Sequence, residues 1–268
     1  TPGNRKVTVS NFLASIYKNS LFNQGLVNGN FDIWQRNTTF TDATTIPTAY
    51  SADRWLSYRT GYAANCTTTR QDGTGVYGSR YCLRQARDNG DSNTSNMILV
   101  YNMETEDSLK FRGKKVTLSF YARMGALFSA TSTKFVSNIV SGTGTDENDV
   151  TGLTGAATVV TQDNTLSTSW QKFTMTSSAV IADSVTQLIV RFNWTPVGTA
   201  GATDYIEITQ VQLCSGDVAL PFQPKSFLDE LKACMRYYEK SYNYGVFAGA
   251  ATTLGCVGGG VATSGNNV

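Results

Sequence analysis

The 268 residues carry 22 Lys and Arg against 20 Asp and Glu, a net charge of +2, and only 16% of residues are charged, where soluble domains average about 25%. No histidine is present, which removes Ser-His-Asp triads, Cys-His pairs, His-ligated zinc and a histidine general base. The basic residues form no run, so no nucleic-acid partner is expected, and no stretch holds the twenty or so bulky apolar residues of a membrane helix, so no membrane insertion is expected.

The polarity comes instead from Thr, Ser, Asn and 24 glycines, and the length suits one large all-β domain with small appendages. At the start, Lys6 to Val9 alternates like a short strand, and Ser10 is placed to cap a short helix over 11–17 with Phe12, Leu13, Ile16 and Tyr17 on one side. Two turns of helix are marginal alone, so this apolar side needs a partner, either the main domain or another copy of the chain. Asn28-Gly29-Asn30 then reads as a turn entering a strand in which Phe31, Ile33 and Trp34 anchor a core.

From Leu26 to Leu220 the apolar period is two. Val116, Leu118, Phe120 and Ala122 share one face, as do Leu188, Val190, Phe192 and Trp194; Phe173 and Met175 form a third such set, and Met97 to Val100 is apolar throughout, as in a strand covered on both sides. Between Tyr205 and Leu213 the parity changes: Ile206 and Ile208 lie on one face and Val211 and Leu213 on the other, which predicts a bulge near Thr209-Gln210. Turn-rich connections such as 71–75, 88–91 and 141–148 separate the strands, the pattern of an antiparallel sandwich. Ser226 and Asp229 form a variant capping box ahead of Phe227, Leu228, Leu231, Cys234, Met235 and Tyr238, so a helix is expected from Phe227 to about Lys240. The Gly-rich tail beyond it alternates in places, as strands completed by neighbours would.

Cys66, Cys82, Cys214, Cys234 and Cys256 are widely spaced and odd in number, which reads as buried free thiols in a chain folded in a reducing cytoplasm. The acidic clusters at Glu104 to Asp107 and Asp146 to Asp149 read as solvated turns, and no catalytic residue is nominated, so the chain is expected not to be an enzyme.

Several signatures recur in a fixed order: Lys6 to Leu13, Asn28-Gly29-Asn30-Phe31-Asp32-Ile33-Trp34-Gln35-Arg36, Ala52-Asp53-Arg54-Trp55, Val211 to Gly216, Leu220-Pro221-Phe222, and Cys234-Met235-Arg236-Tyr237-Tyr238-Glu239-Lys240-Ser241. Together they resemble the carbohydrate-binding-module-like jelly roll of bacteriophage tail fibres and related virion proteins. The resemblance implies an all-β antiparallel jelly-roll sandwich over 26–225, an attachment or oligomerisation segment over 1–25, and a helix leading into a C-terminal β region over 226–268. It further implies a structural virion component, foremost a homotrimeric tail fibre subunit that folds in the host cytoplasm, contacts other virion proteins of the tail or adaptor, and attaches to host surface polysaccharide. A capsid decoration or head-fibre protein and a polysaccharide depolymerase are the alternatives.

Sugar binding needs aromatic faces for pyranose rings, and Trp194, Tyr58, Tyr62 and Tyr77 are the candidates, whereas Trp34, Trp55 and Trp170 are expected in the core. No cofactor is expected apart from a structural calcium, which the related modules hold where an early turn meets a late strand. Asn30, Asp32 and Glu207 offer oxygen ligands of the kind calcium takes.

Overall fold

The computed structural model describes residues 24–41, 50–62 and 64–247. In chain order these form β1 (Thr39–Thr41), β2 (Leu56–Arg59), β3 (Cys66–Asp72), β4 (Tyr81–Arg87), β5 (Met97–Asn102), α1 (Thr105–Leu109), β6 (Val116–Met124), β7 (Lys134–Gly142), β8 (Ala157–Thr165), β9 (Gln171–Thr176), β10 (Gln187–Trp194), β11 (Tyr205–Ser215) and α2 (Phe227–Met235). The strands make a six-stranded sheet in the order β1-β3-β4-β11-β6-β9 and a five-stranded sheet in the order β2-β5-β10-β7-β8. Every pairing between named strands is antiparallel. The fold is the sandwich expected from the period-two patterning.

The predicted inward faces are the observed ones. Val116, Leu118, Phe120 and Ala122 of β6 and Leu188, Val190, Phe192 and Trp194 of β10 are all buried in the layer between the sheets. Phe192 holds the centre: it stacks on Phe135 with centroids 5.6 Å apart, meets Phe120 edge-on at 4.8 Å and reaches Trp55 at 6.3 Å. Such ring pairs add about 0.5–1.5 kcal/mol each to the gain from burial alone. The bulge in β11 is also present. Register with β6 shifts between Thr209 and Gln212, Gln210 takes φ 51°, and both pairs, Ile206 with Ile208 and Val211 with Leu213, are buried.

One end of the sandwich is closed by buried charge. Arg87 bridges Asp204 at 3.0 Å and Asp91 at 3.2 Å, and Arg59 bridges Asp91 at 2.8 Å, with all four side chains almost wholly removed from solvent. Arg87 also donates to the carbonyls of Asp91, Asn93 and Gly198, so each donor is used and the loops at this end are held together.

The Asn28–Trp34 stretch departs from the expected strand. Asn28 and Phe31 adopt φ 59° and 56°, and the segment forms an irregular knot instead. The Asn28 amide donates to the carbonyls of Ile33 and Asp53 and accepts from the Ile33 N–H, while the Trp55 indole donates to the Asn28 carbonyl. Phe31, Ile33 and Trp34 are buried as expected. Gly29 accepts from the Val211 N–H at 2.8 Å, and a Cβ at Gly29 would lie 2.0 Å from the Val211 carbonyl oxygen. Only glycine lets the knot approach the bulge so closely.

Helix α2 starts where predicted, with the Ser226 hydroxyl accepting from the Asp229 N–H, but it stops at Met235 instead of near Lys240. Tyr237 and Tyr238 leave the helical path to lie over the guanidinia of Arg54 (3.6 Å) and Arg36 (3.9 Å). Lys240 then donates to the carbonyls of Gln35, Tyr244 and Val246. Signatures some two hundred residues apart in sequence thus meet in one clamp. Of the helix's predicted apolar face only Cys234 is buried, while Phe227 and Leu228 are exposed.

Cys66, Cys82, Cys214 and Cys234 are buried thiols that form no disulfide with one another. Burial pushes the Cys82 thiol up to about 12 and the Cys214 thiol to about 11, so both stay protonated and inert near neutrality. Cys256 and the predicted elements over 6–17 lie outside the described residues.

Candidate functional site

The bulge in β11 turns Gln210 and Gln212 to the outer face of the six-stranded sheet, and each amide holds one wall of a groove. Gln210 donates to the Tyr77 carbonyl at 2.7 Å, fixing the β3–β4 loop. Gln212 donates to the Leu220 and Pro221 carbonyls and accepts from the Gln223 N–H, fixing the segment that returns after β11. The space between measures about 570 Å3, and Ser119, Tyr121, Trp170 and Lys172 reach it from β6 and from the β9 edge.

Aromatic side chains dominate this groove: Tyr77, fully exposed, and Phe222 on the walls, with Tyr121 and Trp170 beneath. The Trp170 ring lies 4.9 Å from the Arg123 guanidinium, and its indole N–H is buried without a hydrogen-bond partner. Beyond Arg123 the face continues as a ladder in which Glu207 accepts from Arg84 at 2.5 and 2.9 Å and from Arg123 at 2.5 Å, and Arg84 lies over the Tyr205 ring at 3.9 Å.

Gly78 and Pro224 line this groove and also a second compartment of about 440 Å3, into which Asn30, Asp32, Arg70, Arg80, Tyr81 and Tyr244 project. Burial raises the Asp32 carboxyl above the usual carboxylate range, against the opposing effects of the Asn30 hydrogen bond and nearby Arg80.

The expected site residues are dispersed. Trp194 lies in the core, its ring 4.7 Å from Phe128 and its indole donating to Gln85 at 3.1 Å, so it offers no face to a sugar. Its parity with Leu188, Val190 and Phe192 turns it inward. Tyr58 is buried on the other sheet and donates to Asp149 at 2.9 Å. The Tyr62 side chain lies outside the described residues, and of the other three Tyr77 lines the groove. Trp34 and Trp55 are in the core as expected, but Trp170 is half-buried on the outer face. The calcium set is not assembled either: Glu207 spends both oxygens on Arg84 and Arg123, and the Asn30 Oδ1 takes the Thr209 hydroxyl while its amide donates to Asp32.

No protein-family model matches the sequence, and no curated protein matches it. Among solved structures, the enzymatically active domain of tailspike protein 4 of bacteriophage CBA120 is similar over 73% of this chain, at 11% identity and a TM-score of 0.45. This chain spans 22% of that one's length. The CBM22-1 xylan-binding domain of Paenibacillus barcinonensis Xyn10C matches over 67% of this chain and 95% of its own, at 11% identity and a TM-score of 0.38. A Stig cyclase from Fischerella sp. TAU matches over 72% of this chain and 96% of its own, at 13% identity and a TM-score of 0.45.

Proposed function

We propose that this protein is a non-catalytic carbohydrate-binding sandwich, carried by a phage virion as a homotrimeric tail fibre subunit for attachment to host surface glycan. The observation that carries the carbohydrate reading is the open groove with Tyr77, Tyr121, Trp170 and Phe222 around it. Flat rings take pyranose faces, and Gln210, Ser119 and Lys172 supply polar groups at the ring edges. The virion station is supported by the ordered sequence signatures, which converge on the clamp between the Asn28–Arg36 knot and Tyr237–Lys240. In this reading residues 1–25 dock the subunit or pack against its copies.

Electrophoresis of the full chain through gels containing bacterial surface polysaccharides tests the carbohydrate reading. Retardation by at least one polysaccharide, lost in Trp170→Ala, is the expected result; migration unaffected by every polysaccharide overturns it. Sedimentation equilibrium tests the trimer, and a monomer mass at micromolar concentration removes that part of the proposal.

A further inference from the structure

Arginine pairing across the molecule is close to complete. Arg36, Arg59, Arg84, Arg87, Arg123, Arg191 and Arg236 each bridge a carboxylate. Arg54 donates to the Asn102 carbonyl and Arg112 to that of Val185. Among the described residues, Arg70 and Arg80 are the two whose guanidinia make neither an ion pair nor a hydrogen bond. Both lie over one ring, that of Tyr81, at 4.3 and 4.8 Å from its centroid, and both face the second compartment of the groove.

A guanidinium laid on an aromatic ring keeps its N–H edge available for a bidentate acceptor. Two such groups on one tyrosine form a preorganised receptor for an anionic group, with side chains already positioned. The charge around them agrees. Arg70 and Arg80 are opposed in the second compartment by Asp32, and in the first compartment Lys172 is unopposed, since no Asp or Glu lines it. Across the two neighbouring compartments three cations therefore face one carboxylate, and that carboxylate is engaged by the Asn30 amide.

Resting on the carbohydrate reading above, we infer that the groove takes an anionic polysaccharide, its sugar rings on Trp170, Tyr121 and Tyr77 and an acidic substituent on Arg70 and Arg80 beyond Gly78 and Pro224. The acidic group is a carboxylate, as on a uronic acid, or a phosphodiester between polyol units; the guanidinium pair accepts both, and a neutral polymer leaves it unused. A nucleic acid offers the same charge, but its phosphates are spaced along a backbone whose bases would need stacking partners beside the pair. In this compartment the Tyr81 ring carries the two guanidinia and the Tyr244 ring packs edge-on with Phe227, whereas Tyr77, Tyr121 and Trp170 line the other compartment.

A glycan array of neutral, uronate-containing and phosphodiester-linked bacterial polysaccharides, probed with the full chain, Arg70→Gln/Arg80→Gln and Trp170→Ala, separates the outcomes. Wild-type chain is expected to bind a uronate or phosphodiester polymer, and to bind the carboxyl-reduced form of a uronate polymer roughly tenfold or more weakly, the loss of one charge-assisted contact. Binding should weaken as salt approaches about 1 M, where screening acts within ~3 Å, and the double Gln variant should no longer distinguish acidic from neutral forms. Binding restricted to neutral polymers, or equal in wild type and the double variant, overturns the anionic assignment while the carbohydrate reading stands. Binding to no polysaccharide overturns both, and equal binding of single-stranded DNA and an acidic glycan, both lost in the double variant, overturns the assignment to sugar.

Discussion

On the five-stranded sheet the outward side chains Leu56, Tyr58, Ile98, Val100 and Ile189 pack into a second apolar cluster together with Val140, Val150 and Leu153. The connection between β7 and β8 lies over them, held by Asp149, which takes the Tyr58 hydroxyl and the Arg191 guanidinium. The six-stranded sheet turns Ser119, Tyr121, Gln210 and Lys172 outward and keeps its neighbouring loops at the two sides, so its centre stays open. Both sheets have the same inner face of alternating apolar residues. What differs is the outer parity, apolar on one sheet and polar or aromatic on the other, and this decides which face becomes core and which remains open.

Substitutions on the two outer faces should therefore fail in different ways. Asp149→Ala is expected to cost the most, about 3 kcal/mol in urea unfolding, because it strands Arg191 and the Tyr58 hydroxyl on the covered face. Ile189→Ala, on the same face and fully buried, should cost about 2–3 kcal/mol, the low end for a buried Ile truncation. If either variant unfolds at the wild-type urea midpoint, the second cluster contributes nothing and the two faces are energetically alike.

On the open face, Trp170→Ala should leave the urea midpoint nearly unchanged, at most about 1 kcal/mol for the lost contact with Arg123, while removing polysaccharide binding. A large stability loss would make Trp170 part of the core and end the contrast.

The smallest effect is a pH dependence where α2 meets the knot. Burial raises the Glu230 carboxyl, which accepts from the Asn28 N–H. A carboxyl whose folded pKa exceeds its unfolded value binds more protons in the native state, so its contribution to stability is present at low pH and is lost as pH rises from about 4.5 through the folded pKa. Glu230→Gln keeps an acceptor without the charge. Its stability relative to wild type should therefore be greater at pH 7 than at pH 4 by chemical denaturation; an unchanged difference between the two pH values would show that this carboxyl does not titrate abnormally.

The legible parts of this molecule were those set by local repetition. The inward faces of β6 and β10 and the bulge in β11 follow from parity over a few residues, as does the cap at Ser226. Parity also held the answer for two tryptophans. Trp194 shares the inward set of β10, and Trp170 precedes Phe173 and Met175 by an odd step, which turns it outward. The expectation was the opposite for both, Trp194 as a sugar-stacking face and Trp170 as a core residue. The second cluster explains Tyr58, which shares a face with Leu56 in a strand covered on both sides. Nothing local marked Arg70 and Arg80, because which arginines lack a carboxylate depends on every long-range pairing elsewhere. The knot at Asn28–Trp34 was hidden for a related reason: its left-handed residues Asn28 and Phe31 are held by partners at Asp53, Trp55 and Val211.

The place of β11 also bears on how the chain is made. The last of the eleven described strands in sequence lies inside its sheet, paired with β4 on one side and β6 on the other. About eighty residues separate the end of β6 from the start of β11, so at synthesis rates of about 5–20 residues per second the β6 edge waits roughly 4–16 s for its partner, and the β4 edge, which ends at Arg87, waits longer. During that interval β4 and β6 can pair with each other or with a neighbouring nascent chain. Yield on overexpression should accordingly depend more on translation speed across 125–204 and on chaperone supply than on the stability of the finished fold.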